Sequence, residues 1–354
     1  MRFVPTFCLR EGMVLGKSLR GKDSCLLLKQ GQIIKTSYIR KIHQLGYSGV
    51  YIFDNLSEDI IIESIIDDEL RMSAVKAIKD VYISSQFDKK NPDLSLTKDI
   101  AAELVDKIIN SKDIIVNMID LKVFDDYTYY HSVNVAVLSL IMGVALNFTK
   151  SELFKLGLSA LLHDIGKVFI DKNIIDKNGK LTDEEFNEIK KHPLFGYNYL
   201  KDKFDIPTKS YLGALQHHEK FDGSGYPEHL KGMNISTFGR IIAVADVYDA
   251  LTSDRPYRLA MLPSEAMEYI MGGTGSLFDP ELVFLFTRKV AAYPLGTCVR
   301  LSNGATGIVI KNYEDVCMRP KIKQIVNEGE EKIFIDLRND RNARNVIISE
   351  ILKM

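Results

Sequence analysis

Four of the seven histidines in this chain fall in three short segments: His163-Asp164 in LLHDIGK, His192 in KHPLFG, and His217-His218 in HHEKFDGSGYP. A fifth, His131, opens an apolar, helix-like run, and Asp246 sits inside another, RIIAVADVYDA. Read as helices, His131 shares a face with Val135, Leu138 and Met142, and His163 shares one with Leu153, Leu156 and Ala160. Each histidine thus ends an apolar stripe, and such stripes face a core. Asp246, preceded by Ile241 to Ala245, is buried on the same pattern. A buried carboxylate without a partner is costly. The fold must therefore gather distant polar groups into one core and supply something they share. Histidine and carboxylate are ligands of borderline divalent metals.

Taken singly, His131 or His192 reads equally well as a hydrogen-bonded core residue, and Asp246 as an ion-pair partner. The adjacent pairs are harder to assign to packing. Neighbours on a helix diverge by about 100°, so both members are rarely needed in the same core. His43 and His229 lie outside the set and read as surface or loop residues. The candidate ligands exceed the four of a tetrahedral zinc. They suit two octahedral ions, and two ions about 3.5–4 Å apart are usual for in-line displacement at phosphorus. A metal-bridging hydroxide is the expected nucleophile. Lys167, four residues after His163, suits a phosphate oxygen, although it also suits a helix C-terminus. Arg255 and Arg258 in TSDRPYR suit a phosphodiester, or else pair with Asp249 and Asp254. DGSGYP is turn chemistry beside His217-His218, with Tyr226 placed to stack on a base or bond a phosphate.

The framework around these residues reads as mainly α. Residues 1–56 form a small α/β domain: CLLLK and QIIK are short strands, Thr36 caps a helix from Ser37 to Leu45, and GVYIF is a strand. Residues 57–96 are a helix, Ser57 to about Tyr82, and a polar linker, DKKNPDLSL. That helix carries an apolar stripe suited to a homodimer interface or to packing on its own chain. Residues 97–291 are almost wholly helical, with Thr182 and Glu185 forming a capping box. Helices are expected over 98–109, 129–146, 152–162, 183–191, 206–217, 240–251, 264–271 and 281–290. Residues 292–354 form a small β-rich domain opened by a hairpin at Asn303-Gly304.

A net charge of −1 excludes broad attraction to a nucleic-acid polymer or an anionic membrane. Cys8, Cys25, Cys298 and Cys317 form no CxxC pair and read as reduced thiols. The first residues lack a signal-like apolar stretch, and the run Val133 to Phe148 is interrupted by Asn134 and Asn147. The expectation is a cytoplasmic protein without membrane insertion.

Taken in order, LLHDIGK, HP…G, HHEKFDGSGYP and RIIAVADVYDALTSDRPYR closely resemble the HD-GYP proteins, a subgroup of the HD metal-dependent phosphohydrolases. The resemblance covers roughly residues 97–300. EGMVLGKSL…LLLKQGQII looks like an accessory region that precedes such domains, and YPLGTCVRLSNG like the β-rich tail that follows them. The resemblance implies hydrolysis of cyclic di-GMP to linear pGpG, and onward to GMP in some members. It implies two divalent ions, iron or manganese, on His131, His163, Asp164, His192, His217, His218 and Asp246, with Asp164 bridging. It makes Lys167 a phosphate contact, Arg255 and Arg258 substrate-binding positions, and Tyr226 the tyrosine of the GYP loop. Some members carry a glutamate ligand for a third metal where this chain has Tyr127, so a two-metal site is expected. His229 stands where the loop usually has glycine, so a differently shaped loop is expected. Another cyclic dinucleotide, such as the mixed GMP–AMP ring, and a non-catalytic cyclic-dinucleotide sensor are the alternatives.

Overall fold

The structure is a computed structural model. It describes the chain except residues 22–24, 46, 48, 63, 88–92, 112–114, 117–126, 178, 203–204, 254–259, 327–330 and 353–354, and the side chains of Phe87 and Tyr127. The chain forms two compact units. One comprises Met1–Ser64, Ile115–Tyr127 and Thr287–Met354; the other comprises Ile65–Ile114 and Thr128–Phe286.

The first unit begins with β1 (Arg2–Pro5), β2 (Val14–Leu15), β3 (Leu19–Arg20), β4 (Leu26–Leu28), α1 (Thr36–Gln44) and β5 (Gly49–Phe53). The order β1-β5-β2 makes an antiparallel sheet, and β3 pairs with β4. Its later part is β6 (Cys298–Leu301), β7 (Thr306–Lys311), β8 (Lys321–Gln324), β9 (Phe334–Asp336) and β10 (Ile348–Ile351), in the order β10-β6-β7-β8-β9. The β6–β7 hairpin turns at Asn303-Gly304, where Gly304 has φ +88°. Met1, Tyr51, Ile60 and Ile62 share one apolar cluster with Cys298 and Ile308. The two flanking pieces read from the sequence as separate domains therefore occupy one unit. The N-terminal piece also buries a cluster of its own, which includes Val4, Leu15, Leu19, Ile34, Ile42 and Val50.

Several local expectations differ from the structure. Lys35, not Thr36, caps α1, and the Thr36 hydroxyl instead donates to Glu11 at 2.6 Å. In QIIK only Ile33 makes a bridge, to Val14. The expected helix from Ser57 begins later, as α2 (Asp68–Phe87), because Asp54 captures Ser57 through its amide and hydroxyl. Asp67 accepts from the Leu70 amide at the true helix start. The apolar stripe of α2, including Ala74, Ile78 and Val81, is buried within the chain. Part of the expected linker, 88–92, lies outside the described residues.

The second unit is helical. After α2 come α3 (Ser95–Ile109), α4 (Tyr127–Ala145), α5 (Lys150–Leu161), α6 (Lys172–Ile175), α7 (Asp183–Ile189) and α8 (His192–Lys201). They are followed by α9 (Thr208–Gln216), α10 (Thr237–Thr252), α11 (Pro263–Gly272) and α12 (Pro280–Lys289). Capping boxes at Thr149/Glu152 and Thr182/Glu185 start α5 and α7. The helix α8 was not expected; Pro193 sits in its first turn, where a missing N–H costs nothing. α5 packs on α3 and α9, and α10 on α9 and α11. α10 is buried almost throughout, from Phe238 to Asp249. Among the described residues, only the window Thr128–Ala145 is long and apolar enough to cross a membrane, and 78% of it is buried inside the protein. It behaves as a core helix. All four cysteines are free.

Candidate metal centre

Three of the histidines stand within three residues of a helix C-terminus, and His192 also opens α8. His163 follows α5, His192 follows α7, and His217 caps α9. Each Nδ1 donates to the carbonyl three residues back: His163 to Ala160, His192 to Ile189, His217 to Ala214, all at 2.7 Å. The last turn of a helix has carbonyls to spare, so the bond forms at no expense to the helix. It also fixes the tautomer, leaving the lone pair on Nε2. The segments meet through Gly166. A Cβ there would lie 1.9 Å from the His192 carbonyl oxygen, so glycine alone lets HDIGK press against the start of α8.

All these Nε2 atoms converge on Asp164, which is 1% exposed. His192 Nε2 is 3.2 Å and His217 Nε2 3.9 Å from Oδ1; His163 Nε2 is 3.4 Å and His131 Nε2 4.0 Å from Oδ2. Asp164 thereby belongs to two groups whose ligand atoms lie within 4.8 Å of one another: Asp164, His192, His217 and His218, and His131, His163 and Asp164. Asp246 lies beside both, 3.0 Å from His131 Nε2 and 3.9 Å from His218 Nδ1.

The donor set fits metal ions on three observations. First, His163 Nε2 and Asp164 Oδ1 are buried without a hydrogen-bond partner among the described residues, a costly state that coordination removes. Second, His192 Nε2 and His217 Nε2 face each other at 3.3 Å although both rings carry their proton on Nδ1. Two lone pairs so close repel unless a cation sits between them. Third, adjacent ligands of an octahedral ion at about 2.1 Å lie roughly 3 Å apart, which is the spacing of His131–Asp246 and His192–Asp164.

The local charges keep these groups in their ligand forms. Burial pushes the Asp164 carboxyl up, but Lys167 and His163 overcome it and hold the group well below the usual range. Asp246 behaves alike, with His131 and His218 outweighing burial. Burial and the neighbouring imidazoles depress His217, and bring His218 down to about 3.

His131 is held differently. It sits inside α4, and its Nδ1 donates to Asp249 Oδ2 at 2.7 Å. Asn134 Nδ2 donates to the other oxygen, Oδ1, at 2.9 Å. Neither role was read from the sequence, which offered Asp249 only as an arginine's ion-pair partner and Asn134 only as an interruption of an apolar run. One signal was present: Asn134 lies three residues after His131, and Asp249 three after Asp246, so each shares a helix face with a ligand.

The rim is built from HHEKFDGSGYP. The Tyr226 ring stacks on His218 at 4.8 Å between centroids and 27° between planes. Burial pushes the Tyr226 hydroxyl up, so it stays a donor. Lys190 places its ammonium 5.8 Å from the Tyr226 centroid. Glu219, 3% exposed, accepts from the amides of Glu228 and Leu230 at 2.6 and 3.1 Å. These bonds flank His229, which takes φ +54°. The histidine thus adopts the left-handed conformation that a glycine would supply, because Glu219 pins both sides. The expected loop shape rested on histidine avoiding this conformation, and His229 adopts it. His229 and His43 are exposed. Lys167 lies in a 3-10 turn, Ile165–Phe169, and its Nζ is 2.5 Å from Asp164 Oδ2. Arg255 and Arg258 lie outside the described residues.

A family model described as an HD domain matches residues 104–282, a span that contains every candidate ligand. The chain belongs to the HD-domain family. A protein titled as a cyclic di-GMP phosphodiesterase of Pseudomonas aeruginosa is 33% identical over 268 residues, which cover 76% of this chain and 63% of that protein. A 3'3'-cGAMP-specific phosphodiesterase of Vibrio cholerae is 37% identical over 155 residues, covering 44% of this chain and 34% of that protein. This HD-domain chain therefore spans less than two thirds of those relatives' lengths. A solved structure from Bdellovibrio bacteriovorus, titled a HDG"Y"P protein, shares the fold with a TM-score of 0.51 at 19% identity. The match covers 79% of this chain and 96% of that one.

Proposed function

We propose that this HD-domain protein is a metal-dependent phosphodiesterase that opens cyclic di-GMP to linear pGpG. The observation that carries the reading is Asp164, shared between two groups of ligand atoms, one of which sets the unprotonated Nε2 atoms of His192 and His217 3.3 Å apart. That arrangement supports two divalent ions, iron or manganese, held by His131, His163, Asp164, His192, His217, His218 and Asp246. When bound, such ions supply positive charge and an activated water at phosphorus. Water oxygen bonds to phosphorus, the P–O3′ bond breaks, and the 3′ oxygen leaves with a proton.

The protein's own residues bind and orient. Lys167 is about a third exposed and already aimed at the centre, so its ammonium meets a non-bridging oxygen and takes up developing charge. Tyr226 backs His218 with a flat face and offers a protonated hydroxyl to the substrate. Arg255 and Arg258 are assigned to the phosphodiester by the family resemblance. With Tyr127 where a third ligand would stand, pGpG is the expected end product.

The test is anaerobic loading with ferrous iron, and separately with manganese, followed by incubation with cyclic di-GMP and chromatography of products. Linear pGpG, absent from a His163→Ala/Asp164→Ala control, supports the reading. No product from fully loaded protein would sink it. The second reading is hydrolysis of the mixed GMP–AMP ring, favoured by the likeness to the Vibrio enzyme of that title. The same assay with that ring decides between them by the ratio of kcat/KM.

A further inference from the structure

The carboxylate that holds His131 is itself held from a distance. Asn134 donates through Nδ2 to Asp249 at 2.9 Å, and accepts through Oδ1 from Arg71 Nη1 at 2.8 Å. Arg71 belongs to α2, Asn134 and His131 to α4, and Asp249 to α10. The links form one chain, Arg71–Asn134–Asp249–His131, which ends 3.0 Å from Asp246. Asn134 and Asp249 are 0% and 1% exposed, so the bond between them is closed to water, while Arg71 reaches it from a half-buried position.

Each link dictates the next. An amide has one accepting and one donating end, and a guanidinium only donates. Arg71 therefore selects the amide orientation that presents Nδ2 to Asp249. With Asn134 on one oxygen, Asp249 offers the other to His131 Nδ1–H, and the His131 lone pair falls on Nε2. The contrast with the other ligands is informative. His163, His192 and His217 are oriented by backbone carbonyls three residues back in the chain. His131 is oriented instead by Asp249, a residue of another helix. α2 is also the first helix after the Met1–Ser64 segment of the other unit, and it touches α4 again where Tyr130 donates to Met72 at 3.2 Å.

We infer that Arg71 is a positioning residue of the metal centre: it orients His131 through Asn134 and Asp249, so the seating of α2 on α4 sets metal affinity. This rests on the metal-centre reading above.

The test measures metal, not turnover. The full chain is titrated with Mn(II), with free ion read by electron paramagnetic resonance, and with Co(II), read by its visible spectrum. Arg71→Met is expected to weaken the weaker-held ion about 10-fold, the scale for lost outer partners of a ligand. It should also change the Co(II) spectrum, and Arg71→Lys should recover most of the affinity. Asp249→Asn should weaken binding at least as much. Adding Arg71→Met to Asp249→Asn should then cost nothing further, because both act through one chain. Wild-type affinity in Arg71→Met, or losses that add in the double variant, overturns the inference. So does a drop in metal-free melting temperature that accounts for the loss and is not rescued by lysine. Wild-type protein that binds neither ion overturns the metal-centre reading instead.

Discussion

Both units bury charged side chains, but the ion pairs of the first unit and the candidate metal centre of the helical unit satisfy them in opposite ways. In the first unit Arg2 is 6% exposed, and its Nε donates to Asp54 at 2.6 Å while Asp54 also holds Ser57. Lys323, 7% exposed, pairs with Asp59 at 2.6 Å. Donors meet acceptors, and these bonds tie strands to the segment that follows β5. The helical unit pairs Arg240 with Asp279 in the same way, but at its candidate metal centre lone pairs meet lone pairs. His163 Nε2 and Asp164 Oδ1 have no partner among the described residues, and His192 and His217 present the same kind of atom to each other. The first pattern is complete within the chain. The second is completed by something the chain binds. Polar burial alone therefore does not mark a site; the sign of the facing groups does.

The sharpest break in that comparison comes from the carboxylate at its centre. Asp164→Ala is expected to lower metal content and to reduce turnover by at least about 10²-fold. Metal analysis and the product assay check both. A variant that keeps its metals and activity would remove the distinction between the two regions.

Metal removal should separate the units next. An ion that binds only the folded state at 100 times its dissociation constant adds about 2.7 kcal/mol. Chelation should therefore lower hydrogen-exchange protection in α4, α5, α9 and α10, and leave the β6–β8 strands unchanged. Equal loss in both regions would contradict the assignment.

Arg2→Met tests the other side. Losing a charged hydrogen bond costs about 2 kcal/mol, which should appear as a lower midpoint in urea. Mn(II) affinity should stay at the wild-type value.

The smallest effect is expected at His229. A left-handed φ costs a non-glycine residue about 1–2 kcal/mol, and glycine's extra chain entropy returns roughly half of the gain. His229→Gly should thus stabilise the helical unit by no more than about 1 kcal/mol, seen as a small rise in melting temperature.

Much of the candidate site was legible because its ligands lie in contiguous segments whose residue types have few other uses. His163-Asp164 and His217-His218 announce themselves as pairs, and the structure brings all the expected ligands to one place. The helices were legible from their apolar periods and capping boxes, as at Thr182 and Glu185. α8 was missed because proline in a first turn looks like a break. The helix ahead of α2 was overcalled because isoleucines at 61 and 65 mimic a helical stripe, whereas Ile61 is 75% exposed.

The sequence by itself determined which atoms are available to a metal, since residue type decides softness, charge and reach. It also determined that they end in a core, since each closes an apolar stripe. Only the tertiary structure decided how they are aimed. The pairing of Asp249 with His131, 118 positions away, and of Asn134 with Arg71, 63 positions away, crosses between helices. Helical period says which face a residue occupies, but not which face of another helix will meet it. That choice depends on how whole surfaces fit, and here it decides the orientation of a ligand.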